Sequence, residues 1–258
     1  MIVPRRKFNS YIPSKWAKTK VLNKHSHIQK YIPTTSLFSK DELRKYLNRY
    51  RVVFIKPDTG SKGKGILQAE IDSKYHLKWN TQHKSFRTYN GLFSKLKERM
   101  TNRKYVIQKG IHLLTSDGRP FDFRVMIQRN KDGVWEESGI IGRLASKNKI
   151  VTNGAQGATL HPIHTLLEPY LSESEIDGYV SLLYDLGKQT AKKLRKKFPD
   201  VWEIGMDVGI DNELRPWIIE VNTRPEYEPL SKLEDKTIYR KLVKNWKYKQ
   251  KLGYKRYK

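Results

Sequence analysis

Cysteine is absent from the 258 residues, which removes disulfides, thiol nucleophiles and cysteine-based zinc sites and fits a reducing compartment. Long apolar runs are missing as well. No segment approaches a membrane span, and the basic start Met1–Lys7 is followed by no apolar stretch of signal-peptide length, so the sequence predicts a soluble, cytoplasmic protein. No internal repeat is visible. Acidic residues are scarce, with 26 Asp and Glu against 52 Lys and Arg and a formal net charge of +26. Residues 1–50 hold 12 Lys/Arg and 2 Asp/Glu, and residues 232–258 hold 11 and 2, so the ends carry most of the excess. Such a field attracts polyanions, whether nucleic acid, acidic polymers, an anionic membrane surface or nucleotides, and it also keeps a protein soluble. No recognised nucleic-acid-binding motif accompanies it. Aromatic residues are plentiful, and 15 Tyr, 8 Phe and 6 Trp supply material for a sizeable core.

Lys15–Lys30 is rich in helix formers and predicts one short helix ending before Tyr31-Ile32-Pro33, where proline imposes an extended or turn conformation. Ser39-Lys-Asp-Glu42 is a capping box for a second helix, with Arg44, Lys45 and Arg49 placed later, as the helix dipole favours. Arg51–Lys56 is a β-branched, aromatic strand that stops at Pro57; Ile66–Ile71 is another, and Tyr75, Leu77 and Trp79 alternate as a strand would. Thr88–Met100 predicts a helix, Tyr105–Gln108 a short strand, and Ser172–Lys197 the longest helix, opened by the capping box Ser172-Glu-Ser-Glu175. Asp235–Trp246 is a last, basic helix. His161 and His164 lack a third partner at metal spacing and read as structural or surface histidines.

Between the first two strands lies Pro57-Asp-Thr-Gly60-Ser61-Lys62-Gly63-Lys64-Gly65, with three glycines in six positions. Such a connection bends sharply and lets backbone N–H groups approach phosphate oxygens, while Lys62 and Lys64 add positive charge. It is neither a Walker A loop, since Gly63-Lys64 is followed by Gly65, nor a dinucleotide fingerprint, whose glycine spacing and following helix are missing. Lys56 closes the strand directly before the loop, and a buried lysine needs an anionic partner. After Gln108 the connector Lys109-Gly110-Ile111 could offer backbone groups to a base edge and Ile111 to its ring. Val151-Thr-Asn153-Gly154 is a loop of small residues that permits close approach to a ligand.

Charge then appears on strands. Phe121–Gln128 alternates strictly, with Phe121, Phe123, Val125 and Ile127 on one face and Asp122, Arg124, Met126 and Gln128 on the other. Asp132-Gly133 turns the chain into a partner strand that ends at Arg143. Asp122 is positioned to hold Arg124 by a charge-assisted bond. Trp217–Pro225 puts Glu220 and Asn222 on one strand face, and thirteen residues before Glu220, Asp207 sits on a strand ending at the turn Asp211-Asn212-Glu213. Paired as a hairpin, the two strands bring together three oxygen ligands. That set suits Mg²⁺, which keeps several waters and commonly shares its shell with nucleotide phosphates.

In this order, Phe-Ile-Lys56-Pro with its glycine loop, Phe-Asp-Phe-Arg124-Val, Val-Thr-Asn153-Gly and Ile-Glu220-Val-Asn222-Thr-Arg-Pro, the chain resembles the ATP-grasp superfamily, and most of all its spore-coat-associated YheC/YheD type. The resemblance implies an α+β fold in which two subdomains with antiparallel sheets grip ATP between them. The domain that precedes the ATP site in many relatives would be truncated or absent. It divides the chain into a basic helical segment over 1–50, a small subdomain over 51–112, a large subdomain over 113–230 and a basic helix and tail over 231–258. By position, Lys56 would meet the α/β-phosphates, Gly60, Ser61, Gly63, Lys64 and Gly65 would cover the triphosphate, and Gln108, Lys109 and Ile111 would hold adenine. Asn153 and a lysine on the first helix, Lys15 or Lys18, complete the nucleotide contacts. Asp207, Glu220 and Asn222 would bind one or two Mg²⁺, and Arg124 and Arg143 would face the transferred phosphoryl group. Arg224 would address substrate or anchor the turn.

The activity implied is ATP-dependent joining of a carboxylate to an amine through an acyl phosphate, with the basic ends suited to an acidic peptide or polymer as acceptor. The alternatives are a phosphotransferase and an ATP-binding, spore-coat-associated module without turnover. The His-Arg-Asp and Asp-Phe-Gly phrases of protein kinases are absent.

Overall fold

Two antiparallel sheets face one another across a cleft, each with its own helical backing. The structure is a computed structural model and describes residues 8–146 and 157–253. The first sheet uses β1 (Thr35–Leu37), β2 (Val52–Pro57), β3 (Leu67–Ile71), β4 (Tyr75–Trp79), β5 (Gln82–Phe86) and β6 (Tyr105–Lys109), in the spatial order β1-β6-β2-β3-β4-β5. Helices α3 (Lys40–Tyr50) and α4 (Tyr89–Arg99) cover one of its faces. Each helix starts where a hydroxyl caps it: Ser39 accepts from the Glu42 N–H and Thr88 from the Gly91 N–H. Leu43, Leu47, Leu92 and Leu96 then pack, fully buried, on Val53, Ile55, Leu77 and Ile107.

The second sheet runs β10-β9-β8-β11-β12, built from β8 (Arg119–Arg129), β9 (Trp135–Leu144), β10 (Thr159–His161), β11 (Glu203–Ile210) and β12 (Pro216–Asn222), with the two-residue β7 (Thr115–Ser116) beside β8. The alternation on β8 decides what each face does. Phe121, Phe123, Val125 and Ile127 are buried against the 25-residue helix α6 (Glu173–Lys197), joined by α5 (Ile163–Leu167). At roughly 1.5–3 kcal/mol for each large apolar side chain buried, this is the main stabilising contact of the sheet. The other face of the same strand splits. Met126 and Gln128 lie under α7 (Thr237–Lys251), while Asp122 and Arg124 are on the stretch turned to the cleft.

Two expectations need correcting, and one strand comes without a signal in the sequence. Lys15–Lys30 forms two helices, α1 (Lys15–Leu22) and α2 (Ser26–Gln29), because Leu22 and Ile28 both join the core with α6; on one continuous helix they would point about 120° apart. A second strand, β5, follows β4 although its residues are exposed and carry no apolar alternation. The last helix begins at Thr237 and continues to Lys251, since Leu242, Asn245 and Lys249 sit on one buried stripe.

That stripe reaches a buried polar network. Lys249 Nζ lies 2.7 Å from Glu203 Oε1 and donates to Ser10 Oγ at 3.2 Å, while Glu203 Oε2 accepts from the Tyr227 hydroxyl and the Gln128 amide. Lys249→Met should therefore lower stability by about 3–5 kcal/mol, because it strands the Glu203 carboxylate away from water. Adding Glu203→Gln should recover much of that loss. Urea denaturation of the two variants checks the expectation, and equal midpoints for Lys249→Met and the parent would contradict it.

Candidate functional site

The cleft floor is a row of charges on neighbouring strands of the second sheet. Asp122 on β8 is the direct register partner of Arg143 on β9, and Arg124 on β8 is that of Asp207 on β11. Arg143 forks over Asp122 with bonds of 2.8 and 2.6 Å and extends its Nη2 to within 3.1 Å of Asp207 Oδ2. Arg124 grips the same Asp207 through Nε to Oδ1 and through Nη2 to Oδ2 at 3.1 Å. Two acids and two bases thus form a neutral quartet, with Asp122, Arg143 and Asp207 buried and Arg124 partly exposed. Burial works against the charge on Asp207, but Arg124 and then Arg143 outweigh it and hold the carboxyl below its ordinary range. The same balance runs the other way at Arg143, where Asp122 and Asp207 overcome burial and keep the guanidinium charged. Room for Arg124 comes from Gly205, where a Cβ would approach the arginine Cδ at 3.0 Å and Pro225 at 2.8 Å.

The row continues onto β12. Asp207 is the register partner of Glu220, and Gly205 that of Asn222, so Glu220 and Asn222 extend the line of oxygen-bearing side chains. A bulge follows Asp207, and it allows consecutive residues Ile219 and Glu220 both to line the cleft, which strict alternation would forbid.

The first sheet supplies the opposite wall. Lys56 at the end of β2 is buried and donates to Gln108 Oε1 on β6 at 2.6 Å; Gln108 in turn donates to Thr35 on β1 at 3.2 Å. Burial pushes the Lys56 ammonium down to about 8, against the pull of the Glu220 carboxylate and helped by the repulsion of Lys15. The glycine turn follows, with Gly63 and Gly65 in the left-handed region at φ +68° and +75°. Lys15 Nζ reaches the turn at the Gly60 carbonyl, 3.0 Å away, and Glu220 Oε1 at 3.4 Å. Lys18 turns inward instead, donating to the Ile12 carbonyl at 2.7 Å, and burial lowers it to about 8. Asp58, at the start of the turn, fastens α1: its carboxylate accepts from the Ser14 hydroxyl at 2.8 Å and the Trp16 N–H at 2.8 Å, and its carbonyl accepts from the Lys15 N–H at 2.8 Å. At the far side Lys62 Nζ pairs with Glu226 at 3.1 Å.

Between these walls is a cleft of about 690 Å³, within the range that holds a small ligand. Lys56, Asp122, Arg143, Asp207 and Glu220 are at its charged end, and Phe54, Ile66, Ile111, Leu113 and Ile219 give it apolar walls. Gln108, Lys109 and Gly63 also line it. The donor set there suits an anion next to a hard cation: a buried ammonium on one wall and oxygen-only acids on the other. Asp207 accepts three bonds from the two arginines, and a carboxylate offers about four lone-pair sites, so one remains for a cation.

Most of the expected residues converge, and the exceptions have physical reasons. Asp122 pairs with Arg143 and not with Arg124, because side chains two apart on a strand share a face but stand farther from each other than direct cross-strand partners do. Of Lys15 and Lys18, only Lys15 reaches the turn and Glu220. Gln108 spends its side chain on Lys56 and Thr35. Ser61 and Lys64 belong to the glycine turn, the Lys64 N–H bonding the Ser61 carbonyl at 3.4 Å. Arg224 stacks over the Tyr11 ring at 5.4 Å. Asn153 lies outside the described residues. Asp58, Ile66 and Ile219 were not anticipated. Asp58 stands directly before the glycines, a place where a carboxylate commonly holds a turn, but nothing local points to the bulge that exposes Ile219.

The sequence matches the family described as YheC/D like ATP-grasp over residues 5–252. Endospore coat-associated protein YheD of Bacillus subtilis (strain 168) is 30% identical over 226 residues, covering 84% of this chain and 49% of its own length. Endospore coat-associated protein YheC of the same organism is 22% identical over 220 residues, covering 83% of this chain and 60% of its own. The chain therefore spans about half to three-fifths of the length of these relatives. Among solved structures, an ADP complex of purK, N5-carboxyaminoimidazole ribonucleotide synthetase, superposes with a TM-score of 0.51 at 13% identity, covering 90% of this chain and 51% of that one. D-cycloserine synthetase DcsG does so with a TM-score of 0.55 at 10% identity, covering 89% of this chain and 69% of that one. Two antiparallel sheets around a charged cleft are thus the ATP-grasp fold, and the chain belongs to the YheC/D-like ATP-grasp family.

Proposed function

We propose that the cleft binds ATP with Mg²⁺ and that the protein is an ADP-forming ligase, joining a carboxylate to an amine through an acyl phosphate. The observation that carries this reading is the buried Lys56 on one wall facing the Asp207 and Glu220 carboxylates on the other, inside one cleft of nucleotide size. When bound, magnesium ATP supplies the phosphoryl group and the counter-charge that make a carboxylate open to attack by an amine. The rest is positioning by the chain itself. Lys56 would meet the phosphates, with Gln108 holding its ammonium in place until they arrive. The glycine turn would lie over the triphosphate, steadied by Lys15 at Gly60, and the apolar walls at Ile66, Ile111 and Ile219 would take the base. Asp207, Glu220 and Asn222 would hold the cation. Arg143 and Arg124, already fixed by Asp122 and Asp207, would meet negative charge growing on the transferred group without having to reorganise.

The division into a small subdomain over 51–112 and a large one over 113–230, flanked by basic ends, belongs to the same proposal. So does an acidic peptide or polymer as acceptor, which the net charge of +26 would attract. The names of the Bacillus relatives support a place with the endospore coat.

Three measurements test this reading. Mixtures of candidate acids and amines are to be screened for ADP and phosphate release with product mass. Release that needs both partners is expected, release with a phosphorylated product alone would indicate a phosphotransferase, and ATP binding with no release in any mixture would indicate a binding module. Glu220→Gln should weaken magnesium-dependent ATP binding at least about tenfold while leaving metal-free binding nearly unchanged, since it removes one charged ligand of the cation. Calorimetry with and without Mg²⁺ reads this directly, and equal affinities would remove Glu220 from the cation site. Metal-free ATP affinity should hold below about pH 8 and fall as pH rises above it, because Lys56 binds phosphate only while protonated and is lowered to about 8 in the free protein. Lys56→Arg should flatten the decline, and a flat profile in the parent would dissociate Lys56 from the phosphates.

A further inference from the structure

At the edge of the first sheet, on the face whose Glu70 and Lys78 line the cleft, two histidines meet on the β4–β5 hairpin. His76 on β4 has Ser85 of β5 as its register partner, and His83 lies two residues along β5, opposite Lys78. His76 Nδ1 and His83 Nε2 are 3.1 Å apart, and Ser85 Oγ is 3.0 Å from the same His76 nitrogen. The other nitrogen of His76 is already assigned. Its Nε2 is 2.9 Å from Asp72 Oδ1, and Asp72 is held in the preceding turn by the Lys74 N–H at 2.7 Å. In the tautomer that places the proton on Nε2, shared with the Asp72 carboxylate, the Nδ1 lone pair faces His83 and Ser85.

One ring nitrogen beside a carboxylate and the other facing a second imidazole is the arrangement of a histidine prepared to ligate. Two imidazole nitrogens each about 2.0–2.1 Å from a tetrahedral zinc ion stand about 3.3 Å apart, so the pair already has the spacing to within a few tenths of an ångström, and turning the rings makes both lone pairs converge on the ion. The nearest cation, Lys78, is drawn aside by Glu70 at 3.0 Å, and Lys84 points to the opposite face, over the Phe86 ring at 5.8 Å. The molecule's net charge of +26 opposes any cation, so binding here rests on the nitrogen ligands and not on the general field.

We infer that His76 and His83 form a site for a divalent transition cation of the zinc class, with Asp72 as the positioning residue for His76. Imidazole ligands select zinc and copper over magnesium, so the site is chemically distinct from the carboxylate set in the cleft. Two protein ligands leave the remaining coordination positions to Ser85, water or an outside group.

The test is a Zn²⁺ titration of the full chain followed by ¹⁵N imidazole spectra, with Mg²⁺ as the control. One saturable equivalent is expected, with the largest shifts at His76 Nδ1 and His83 Nε2 and none there with Mg²⁺. His83→Gln should remove that equivalent, and Asp72→Asn should weaken it about 10–100-fold. Shifts confined to His25, His27, His112, His161 or His164, or unchanged zinc stoichiometry and affinity in His83→Gln, would overturn the inference and leave the pair as a plain N–H···N hydrogen bond. The spectra of the parent protein decide the matter even where a substitution disturbs the hairpin.

Discussion

A carboxylate taken out of water costs several kcal/mol unless cations answer it, and Asp207 is answered from two strands at once. That single requirement ties together much of the second sheet. Arg124 arrives from β8, Arg143 from β9 by way of Asp122, and Glu220 stands beside them on β12, so the register of four strands is specified by one cluster. A slip of one residue on β8 would send Asp122 and Arg124 into the helix-backed core and bring Phe121 and Phe123 to the cleft. The apolar face and the charged face therefore enforce the same alignment, one through burial and the other through pairing. The quartet is also neutral overall, so the sign of the cleft is set by the groups around it: Lys56, Lys78 and Lys109 against Glu70 and Glu220, with Lys15 at the glycine turn.

Much of this was legible in the sequence because it is local. Strict alternation on Phe121–Gln128 announces two faces of opposite chemistry; Ser39 and Thr88 mark helix starts through hydroxyls that accept free N–H groups, and Ser172 does so through Glu175, whose carboxylate accepts the Ser172 N–H. That Glu220 and Asn222 share one face follows from strand periodicity alone. What was not legible depends on partners far away in the chain. Asp122 selects Arg143 over Arg124 through a register between two strands, and Asp58 caps a helix 42 to 44 residues before it. β5 carries little apolar signal because it is an exposed edge, paired through its backbone with β4. The bulge after Asp207 is a property of the β11–β12 pairing and leaves no mark in composition.

The basic ends read differently once placed. Their charge suggests a tail-like, solvated surface, yet Lys18 and Lys249 are interior. Lys249 anchors α7 to Glu203 beneath the second sheet, and Lys18 holds the chain segment before α1 through the Ile12 carbonyl. Part of the excess positive charge is thus structural, and the remainder is what a polyanion would meet.

Helix α1 packs against α6 and β12 on one side and β1 on the other, and Asp58 stitches its first turn to the glycine connection. It therefore works as a strap across the two halves and not as an appendage of either. A shortened protein beginning after Leu22 would keep every strand, but it would lose Lys15 from Gly60 and Glu220 and leave the Asp58 carboxylate without its N–H and hydroxyl donors. For anyone trimming or fusing the molecule, the usable boundary at this end lies before Ser10, which with Ile12 serves the interior Lys249 and Lys18, even though the first sheet begins only at Thr35.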